Sequence, residues 1–532
     1  MTRKNAKRTA ALLTGFLLAL LPSLASAEMV YNRGNSGDMN TLDAQKTSTV
    51  QESTITRDLY EGLTYRSVAG ESIPGSAESW TVSDDGLVYT FKIRQNAKWS
   101  NGDPVTANDF VFAFRRMEDP ATGTKYAAIL YPIKNAEEVN AGKVKPDQLG
   151  IRAIDKATLE ITLNAPTAYF TEMLTHQAAY PLHEASIKKY GDDWVKPENL
   201  VTNGAYTAAE FVPKSHIKLV KNKNYYDADK VKIDVVNYIP LEDRNSALKR
   251  FEAGEIDSYD ELPAEQMKYV EGNLKGRYFV GPWIGLYYYT IRTDKPPYNN
   301  PKLRRALSLA VDRDYLAEKI WNKTMFPAYS IVPPGIKGYE GSSADYKNKA
   351  QLDREDEARK IMGELGYSAS RPLKLEIHYN TSEDHKNTAV AIADMWKNIY
   401  VEASMINMDG KSHYDFLQQN GDYDVARASW IADFQDPQTF LALMQTGNGN
   451  NYAHFSNPEI DSWLRKAEVE KDAAKRFEQL AKAEALIVNE TPIIPLLFHS
   501  YRNLVSPKLK GFEQNLMNIH ITKWISIDSS HS

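Results

Sequence analysis

Hydrophobic and polar positions alternate in short runs along much of the chain. Leu87, Tyr89, Phe91 and Ile93 take turns with Val88, Thr90, Lys92 and Arg94, the period of a strand with one buried face. Leu159, Ile161 and Leu163 repeat the pattern, as do Ile217 and Leu219. Elsewhere the period becomes helical. Phe110, Ala113, Phe114 and Met117 fall at i, i+3, i+4 and i+7. They follow Thr106-Ala107-Asn108-Asp109, which resembles a capping box with Asp in place of the usual Glu. Asn300-Pro301 opens a second helix, with Asn as N-cap and Pro at N1. Its buried face is Leu303, Ala306, Leu307 and Ala310, and its end is expected near Ile320. A third helix puts Phe477, Leu480, Ala481, Ile487 and Val488 on one side and stops before Pro492; Glu484 interrupts that stripe and predicts a partly buried face. Strands and helices intermix with no repeat, no low-complexity tract and no long Gly- or Pro-rich linker. This predicts a mixed α/β protein of several lobes, joined by short hinges that the chain crosses more than once.

The first segment stands apart. Arg3, Lys4, Lys7 and Arg8 precede an apolar run from Ala10 to Leu21, then Pro22 and Ala25-Ser26-Ala27. This is the pattern of a secretory signal peptide cut after Ala27, and the run is shorter than the ~20 residues a membrane span needs. No later segment approaches that length. Without the four leader cations the mature chain carries 60 basic against 69 acidic residues, a balance of −9. A nucleic-acid partner is not expected from that balance. The chain has no cysteine, which excludes disulfides, thiolate metal sites, cysteine nucleophiles and a lipid-modified N-terminal Cys. An acidic, exported, cysteine-free chain of this size points to the periplasm of a Gram-negative bacterium. The 532 residues correspond to about three domains at roughly 100–200 residues each.

No catalytic signature is present: no G-x-S-x-G elbow, no P-loop and no G-x-G-x-x-G. His183-Glu184 starts like a zincin motif, but no His follows at the required spacing. Asp84-Asp85 and Glu383-Asp384 sit in polar stretches and read as solvated loop acids. The 31 Tyr and 9 Trp suit a cleft that is apolar and hydrogen-bonding at once.

From Arg57 onward a family becomes visible. Arg57-Asp58-Leu59-Tyr60-Glu61-Gly62-Leu63 is followed by Pro74-Gly75-Ser76-Ala77, Trp80, Asn96-Ala97-Lys98-Trp99-Ser100-Asn101-Gly102 and Pro104-Val105-Thr106-Ala107-Asn108-Asp109-Phe110-Val111. Asn203-Gly204-Ala205-Tyr206, Gly254-Glu255-Ile256-Asp257, Tyr287-Tyr288-Tyr289, Ala310-Val311-Asp312-Arg313-Asp314, Tyr379-Asn380-Thr381-Ser382 and Asp424-Val425-Ala426-Arg427-Ala428-Ser429-Trp430 continue it. Together they resemble the periplasmic oligopeptide-binding proteins of ABC transporters, extracytoplasmic solute-binding family 5, over essentially the whole mature chain. The resemblance implies an α/β, periplasmic binding protein-like fold of the cluster C type, with two hinged lobes and an extra third domain. The first lobe is expected at 28–59, 185–285 and 500–532, the extra domain at 60–184 and the second lobe at 286–499. It further implies an oligopeptide ligand, an inner-membrane ABC importer permease as partner, a monomer, and no enzymatic activity, cofactor or metal.

The resemblance also implies roles for residues. Asp433 matches the family's aspartate for the peptide α-ammonium; an Asp in such a loop is otherwise a solvated group or a cap. Asp436 is the better cap, with Pro437 after it at N1 and Phe440, Leu441 and Met444 as an apolar face. Arg427 matches an arginine, and His385 a histidine, that meet the peptide's carboxylate end; the plainer readings are a cross-lobe salt bridge and an exposed loop histidine. Tyr126, His176 and Tyr288 match cleft-lining positions, and Trp430 an aromatic of the side-chain pockets. Three consecutive Tyr alternate faces of a strand, so at least one of Tyr287, Tyr288 and Tyr289 packs in the core. The departures concern charge. Trp321 stands where the family has a lysine for the carboxylate, Gln418 where it has an arginine, Ser48 and Thr290 where it has acids, and Gly410-Lys411 where it has a tryptophan. Lys411 is a candidate replacement for a lost cation. The resemblance thus implies a less charged, more aromatic cleft with the ammonium end kept. Other cargoes in the same family are a murein-derived peptide, an opine-like conjugate or haem. An exported hydrolase is the reading from another class.

Overall fold

A computed structural model describes residues 28–528; the expected signal peptide lies outside them. The chain starts inside a mixed sheet of 11 strands. Strand β1 (Val30–Asn35) leads to helix α1 (Val50–Leu59), where Thr49 and Glu52 close a capping box. The chain then leaves the sheet to build a separate antiparallel one from β2 (Ala77–Val82), β3 (Val88–Ile93), β4 (Ile151–Asp155) and β5 (Thr158–Thr162), ordered β2-β3-β5-β4. Helix α2 (Ala107–Glu118) packs on it. Tyr89, Phe91, Ile93, Leu159 and Ile161 share one buried core with Phe110, Ala113, Phe114 and Met117, as the two periods predict. The Asp109 carboxylate accepts the Thr106 N–H at 2.6 Å and its hydroxyl at 2.9 Å, so Asp serves in the capping box.

The chain returns through β6 (Tyr206–Val212), β7 (His216–Lys221), β8 (Val235–Pro240), helix α3 (Arg244–Glu252) and the short β9 (Ser258–Tyr259). Strand β10 (Tyr278–Ile291) then crosses to the other half of the sheet. That half contains α4 (Pro301–Leu309), β11 (Leu373–Asn380), α5 (Glu383–Lys397), β12 (Val401–Met408), α6 (Gly410–Gln418), β13 (Val425–Ile431) and α7 (Ala473–Glu490). Strand β14 (Ile493–Val505) brings the chain back. The sheet order is β12-β11-β13-β10-β14-β9-β1-β8-β7-β6, with Phe326–Pro327 paired to β14.

Strands β10 and β14 belong to both halves. Tyr278 pairs with Leu504 at one end and Thr290 with Ile493 at the other. Their register breaks between Pro282 and Leu286, and an interrupted ladder bends and twists more than a continuous one. Gly285 sits in that break because a Cβ there would lie 2.5 Å from Ile431 Cδ1 and 3.0 Å from His499 Cδ2. Beyond the break, Tyr287 and Tyr289 face one core with Trp321, Ile377 and Trp396, and Tyr288 faces another with Ala426, Leu441 and Tyr452. All three tyrosines are buried.

One helix expectation changes. The helix opened by Asn300-Pro301 stops at Leu309 instead of running on to Ile320, and Asp312 caps a new turn through the Tyr315 N–H at 3.0 Å. The buried Arg313 guanidinium requires this break. It donates to the Ser308, Val311, Ala328 and Pro495 carbonyls, acceptors that a continuous helix would not gather around it. The face of α7 is partly buried as expected, Phe477, Ala481 and Val488 being half-buried beside the buried Leu480 and Ile487; Glu484 within it is fully buried. Its carboxylate accepts the N–H groups of Ile331, Val332 and Ser342 and the Tyr339 hydroxyl, at 2.7–3.0 Å. Among the described residues no helix is long and apolar enough to cross a membrane.

Candidate functional site

The two halves and the small-sheet body close on one another. Tyr169, from the small-sheet body, stacks on Phe434 with centroids 5.1 Å apart, and the Arg476 guanidinium lies 4.6 Å from the same tyrosine ring. Lys125 reaches Asp415 at 3.2 Å. Arg244 of α3 reaches Asp384 of α5 at 2.9 Å. These contacts shut a cleft whose back is the β10–β14 pair.

At one end of the cleft stands Asp433, just past the end of β13. Its N–H donates to Thr439 Oγ1 at 3.4 Å, and the Trp430 indole donates to the same oxygen at 3.1 Å, so one hydroxyl fixes both residues. The His176 imidazole faces the carboxylate with Nε2 3.6 Å from Oδ1, and Tyr126 packs on that imidazole at 4.9 Å between centroids. This is no ion pair. Burial, then Arg57 and Arg66, hold the His176 imidazole down at about 3, which leaves it neutral at neutral pH. His176 Nδ1 accepts the Ala178 N–H at 3.2 Å, which assigns the ring proton to Nε2. At 3.6 Å that N–H is too far for a hydrogen bond. Burial pushes the Asp433 carboxyl up to about 7, against the pull of the Arg57 guanidinium. Among the described residues no cation is hydrogen-bonded to this carboxylate, and burial alone disfavours its charge.

Asp436, three residues on, is occupied. It accepts the Gln438 N–H at 2.9 Å and two hydrogen bonds of 2.7 Å from Arg476. The division between a structural Asp436 and an open Asp433 therefore rests on what each carboxylate touches.

At the other end β13 presents Arg427. It is buried; its Nη1 donates to Tyr414 Oη at 2.7 Å and to Asn380 Oδ1 at 3.1 Å, and its Nε has no partner. The guanidinium lies 4.8 Å from the Tyr287 ring. Tyr287 in turn meets Trp321 edge-on at 5.5 Å, and its hydroxyl bonds His385 Nδ1 at 3.2 Å. Trp321 is held from behind by Thr388 Oγ1, which accepts its indole N–H at 3.0 Å. His385 is no exposed loop histidine. It lies in the first turn of α5, buried, and burial together with Arg427 and Arg244 keeps it neutral well below its ordinary value. Asp384 beside it is not a solvated acid either, since Arg244 holds it inside.

Asp433, His176, Tyr126 and Trp430 thus gather at one end, and Arg427, His385 and Trp321 at the other. Tyr288 joins neither group directly. It points to the opposite face of β10 from Tyr287, among Tyr414, Tyr423 and Tyr452, with its hydroxyl unpartnered. Lys411 does not replace a lost cation, because it is exposed and paired with Asp415 at 2.6 Å. Ser48 brings no acid of its own; its N–H is bonded at 2.8 Å by Glu52, a buried carboxylate already shared with Asn40 and Thr49. Sequence reasoning missed His499, Arg502 and Arg244. His499 bonds Ser429 Oγ through Nε2 at 2.6 Å. The one legible signal was a cluster of polar side chains, His499 to Asn503, inside an otherwise apolar strand.

A mixed sheet bent into two halves, a three-body closure and a sequestered carboxylate define a binding protein that encloses its cargo. Comparisons with known proteins give the class its family. Residues 71–452 match the model of bacterial extracellular solute-binding proteins, family 5 Middle, and the chain belongs to that family. It is 37% identical over 495 residues to the periplasmic oligopeptide-binding protein OppA of Salmonella typhimurium, covering 92% of this chain and 91% of the relative. It is similar to the crystal structure of Haemophilus influenzae OppA in complex with RPPGFSPFR, with a TM-score of 0.89, 34% identity and coverage of 94% of this chain and 99% of that one. Against the Escherichia coli murein tripeptide binding protein MppA the TM-score is 0.90 at 33% identity, with 94% and 99% coverage. Against the unliganded open form of MppA it falls to 0.73, at 33% identity and 95% and 99% coverage. The same chain length matches worse when the lobes are apart, in agreement with the contacts that shut the cleft here.

Proposed function

We propose that the protein captures short peptides with a free amino terminus in the periplasm and delivers them to an inner-membrane ABC importer. The observation that carries this reading is Asp433, an enclosed carboxylate without a bonded cation, placed at one end of a cleft whose other end holds the buried Arg427. An extended zwitterionic chain lies between them, its ammonium on Asp433 and its carboxylate toward Arg427. In this reading His385 donates a neutral hydrogen bond through Nε2 and contributes no positive charge. Tyr126, His176 and Trp430 wall the ammonium end and Trp321 the other, while Tyr288 lies on the opposite face of β10 near Tyr414, the partner of Arg427. The relatives named for oligopeptide and murein peptide binding point the same way.

The first lobe takes 28–59, 185–285 and 500–532, the inserted domain 60–184 and the second lobe 286–499, and the leader is removed after Ala27. One chain supplies both walls of the cleft, so a monomer suffices. Transport energy comes from ATP hydrolysed by the importer, and no chemistry is assigned to the cleft. Ser429 and His499 stand within the reach of a nucleophile and its base. No carboxylate bonds and orients His499 among the described residues, and burial keeps its basicity far below the ordinary value. Protein purified from its native host and released under denaturing conditions should yield short peptides by mass spectrometry. Recovery of a cargo without an amino group would contradict the reading.

Proton coupling gives a second expectation. Burial pushes the Asp433 carboxyl up to about 7, and a bound ammonium lowers it. Below pH 7 the site must therefore release a proton before it binds. Affinity for a tripeptide should fall as pH drops from 7 to 5, by up to about tenfold per unit. Calorimetry in two buffers of different ionisation enthalpy would show the released proton; a flat affinity over that range would contradict it.

A further inference from the structure

Strand β14 carries a cation that the scheme above does not use. Arg502 is only 8% exposed. Its guanidinium stands 5.4 Å over the Trp321 ring. Its Nη1 is buried and has no hydrogen-bond acceptor among the described residues. The acids that face it make their short bonds to other groups. Asp384 Oδ2 is 3.9 Å away and takes its short bond, 2.9 Å, from Arg244. Glu261 is likewise held by Arg244 at 2.8 Å, and the exposed Glu265 by Asn245 at 3.0 Å. Arg502 is thus a sequestered cation short of a partner, a costly state that an incoming anion relieves.

Arg427 has an unpartnered Nε in the same neighbourhood. The two guanidiniums bracket one aromatic pair. Arg427 lies 4.8 Å from Tyr287, Tyr287 meets Trp321 at 5.5 Å, and Arg502 covers Trp321. His385 stands beside both rings, 5.5 Å from Tyr287 and 6.2 Å from Trp321. Among the described residues no carboxylate is hydrogen-bonded to either arginine; the nearest, Asp384, stands 3.9 Å from Arg502. A single carboxylate gripped by one guanidinium fork turns both oxygens toward that fork. Two separated forks call for two carboxylates.

We infer that this end of the cleft selects peptides whose last residue is acidic, the α-carboxylate going to Arg427 and the side-chain carboxylate to Arg502. The inference rests on the peptide reading above and adds its side-chain class. Arg502 is then the specificity-determining residue, and Trp321 is the platform that holds it.

The test is calorimetric titration with Ala-Ala-Ala, Ala-Ala-Gln and Ala-Ala-Glu, all with free ends. The natural protein should bind Ala-Ala-Glu at least about tenfold more tightly than Ala-Ala-Gln, its neutral isostere. Arg502→Gln should bring that ratio within about twofold, and Arg502→Lys should keep part of it, which also covers the case that the glutamine variant does not fold. A merely structural Arg502 would shift all three peptides equally. Equal affinities in the natural protein, or a preference that survives in Arg502→Gln, would overturn the inference. Binding of Ala-Ala-Ala in that case would leave the peptide reading standing. Failure of all three to bind would remove that reading and this inference with it.

Discussion

Asp433→Asn should bind a free tripeptide more weakly by roughly 3 kcal/mol, over a hundredfold, and should unfold at a higher temperature than the natural chain when both are empty. The two effects have one cause. Burial raises the Asp433 carboxyl from its ordinary 3.8 to about 7 in the folded protein. In the unfolded chain it ionises from about 4 upward, so native stability falls as pH climbs from 4 to 7 and the full penalty applies above 7. An amide has the same shape and no charge to bury, so the variant gains a few kcal/mol at neutral pH. It also loses the partner of the ammonium. A residue retained for structure would show the opposite sign in the melt. Calorimetry of binding and calorimetric melting of the empty protein check the pair. Unchanged affinity, or a lower melting temperature, would remove Asp433 from the binding site.

Glu484→Leu should cost at least about 4 kcal/mol of stability, because it leaves three backbone N–H groups and one hydroxyl without acceptors at about 1–3 kcal/mol each. Those donors are Ile331, Val332, Ser342 and Tyr339, all within one excursion of the chain. Glu484 is fully buried, and the Ile331 and Val332 N–H groups are buried with it, so solvent does not replace the acceptor there. Glu484→Gln keeps two acceptor lone pairs on one oxygen and should lose about half as much. Denaturant unfolding followed by tryptophan fluorescence measures both. A change within 1 kcal/mol for the leucine variant would contradict the assignment.

Glu484 also marks the limit of what a pattern shows. Periodicity identified the faces of α2, β3, β5 and α7 because burial of alternate or every third-to-fourth side chain is a local property. An acid in such a stripe reads as a flaw, and only the fold reveals that a distant segment, 331–342, brings its donors there. Asp312 and Arg313 show the same for a helix end. Asp312 starts the next turn locally, but the carbonyls of Ala328 and Pro495, which draw Arg313 inward, are distant in the chain. At the site, Asp433 and Asp436 were separable from Pro437 onward, since a cap has a sequence signature. Asp384 was misread as solvated because adjacent acids look polar, while the Arg244 that holds it inside is 140 residues away. The pairing of Arg502 with Trp321 was invisible for the same reason: it joins two elements whose meeting depends on how β14 crosses between the halves.

The central claim is that an enclosed carboxylate grips a peptide's leading amine. The most direct test compares one tripeptide with its N-acetylated form by calorimetry at pH 7.5. The free peptide should bind at least a hundredfold more tightly, a difference of about 3 kcal/mol. Equal affinity for the two would contradict the account.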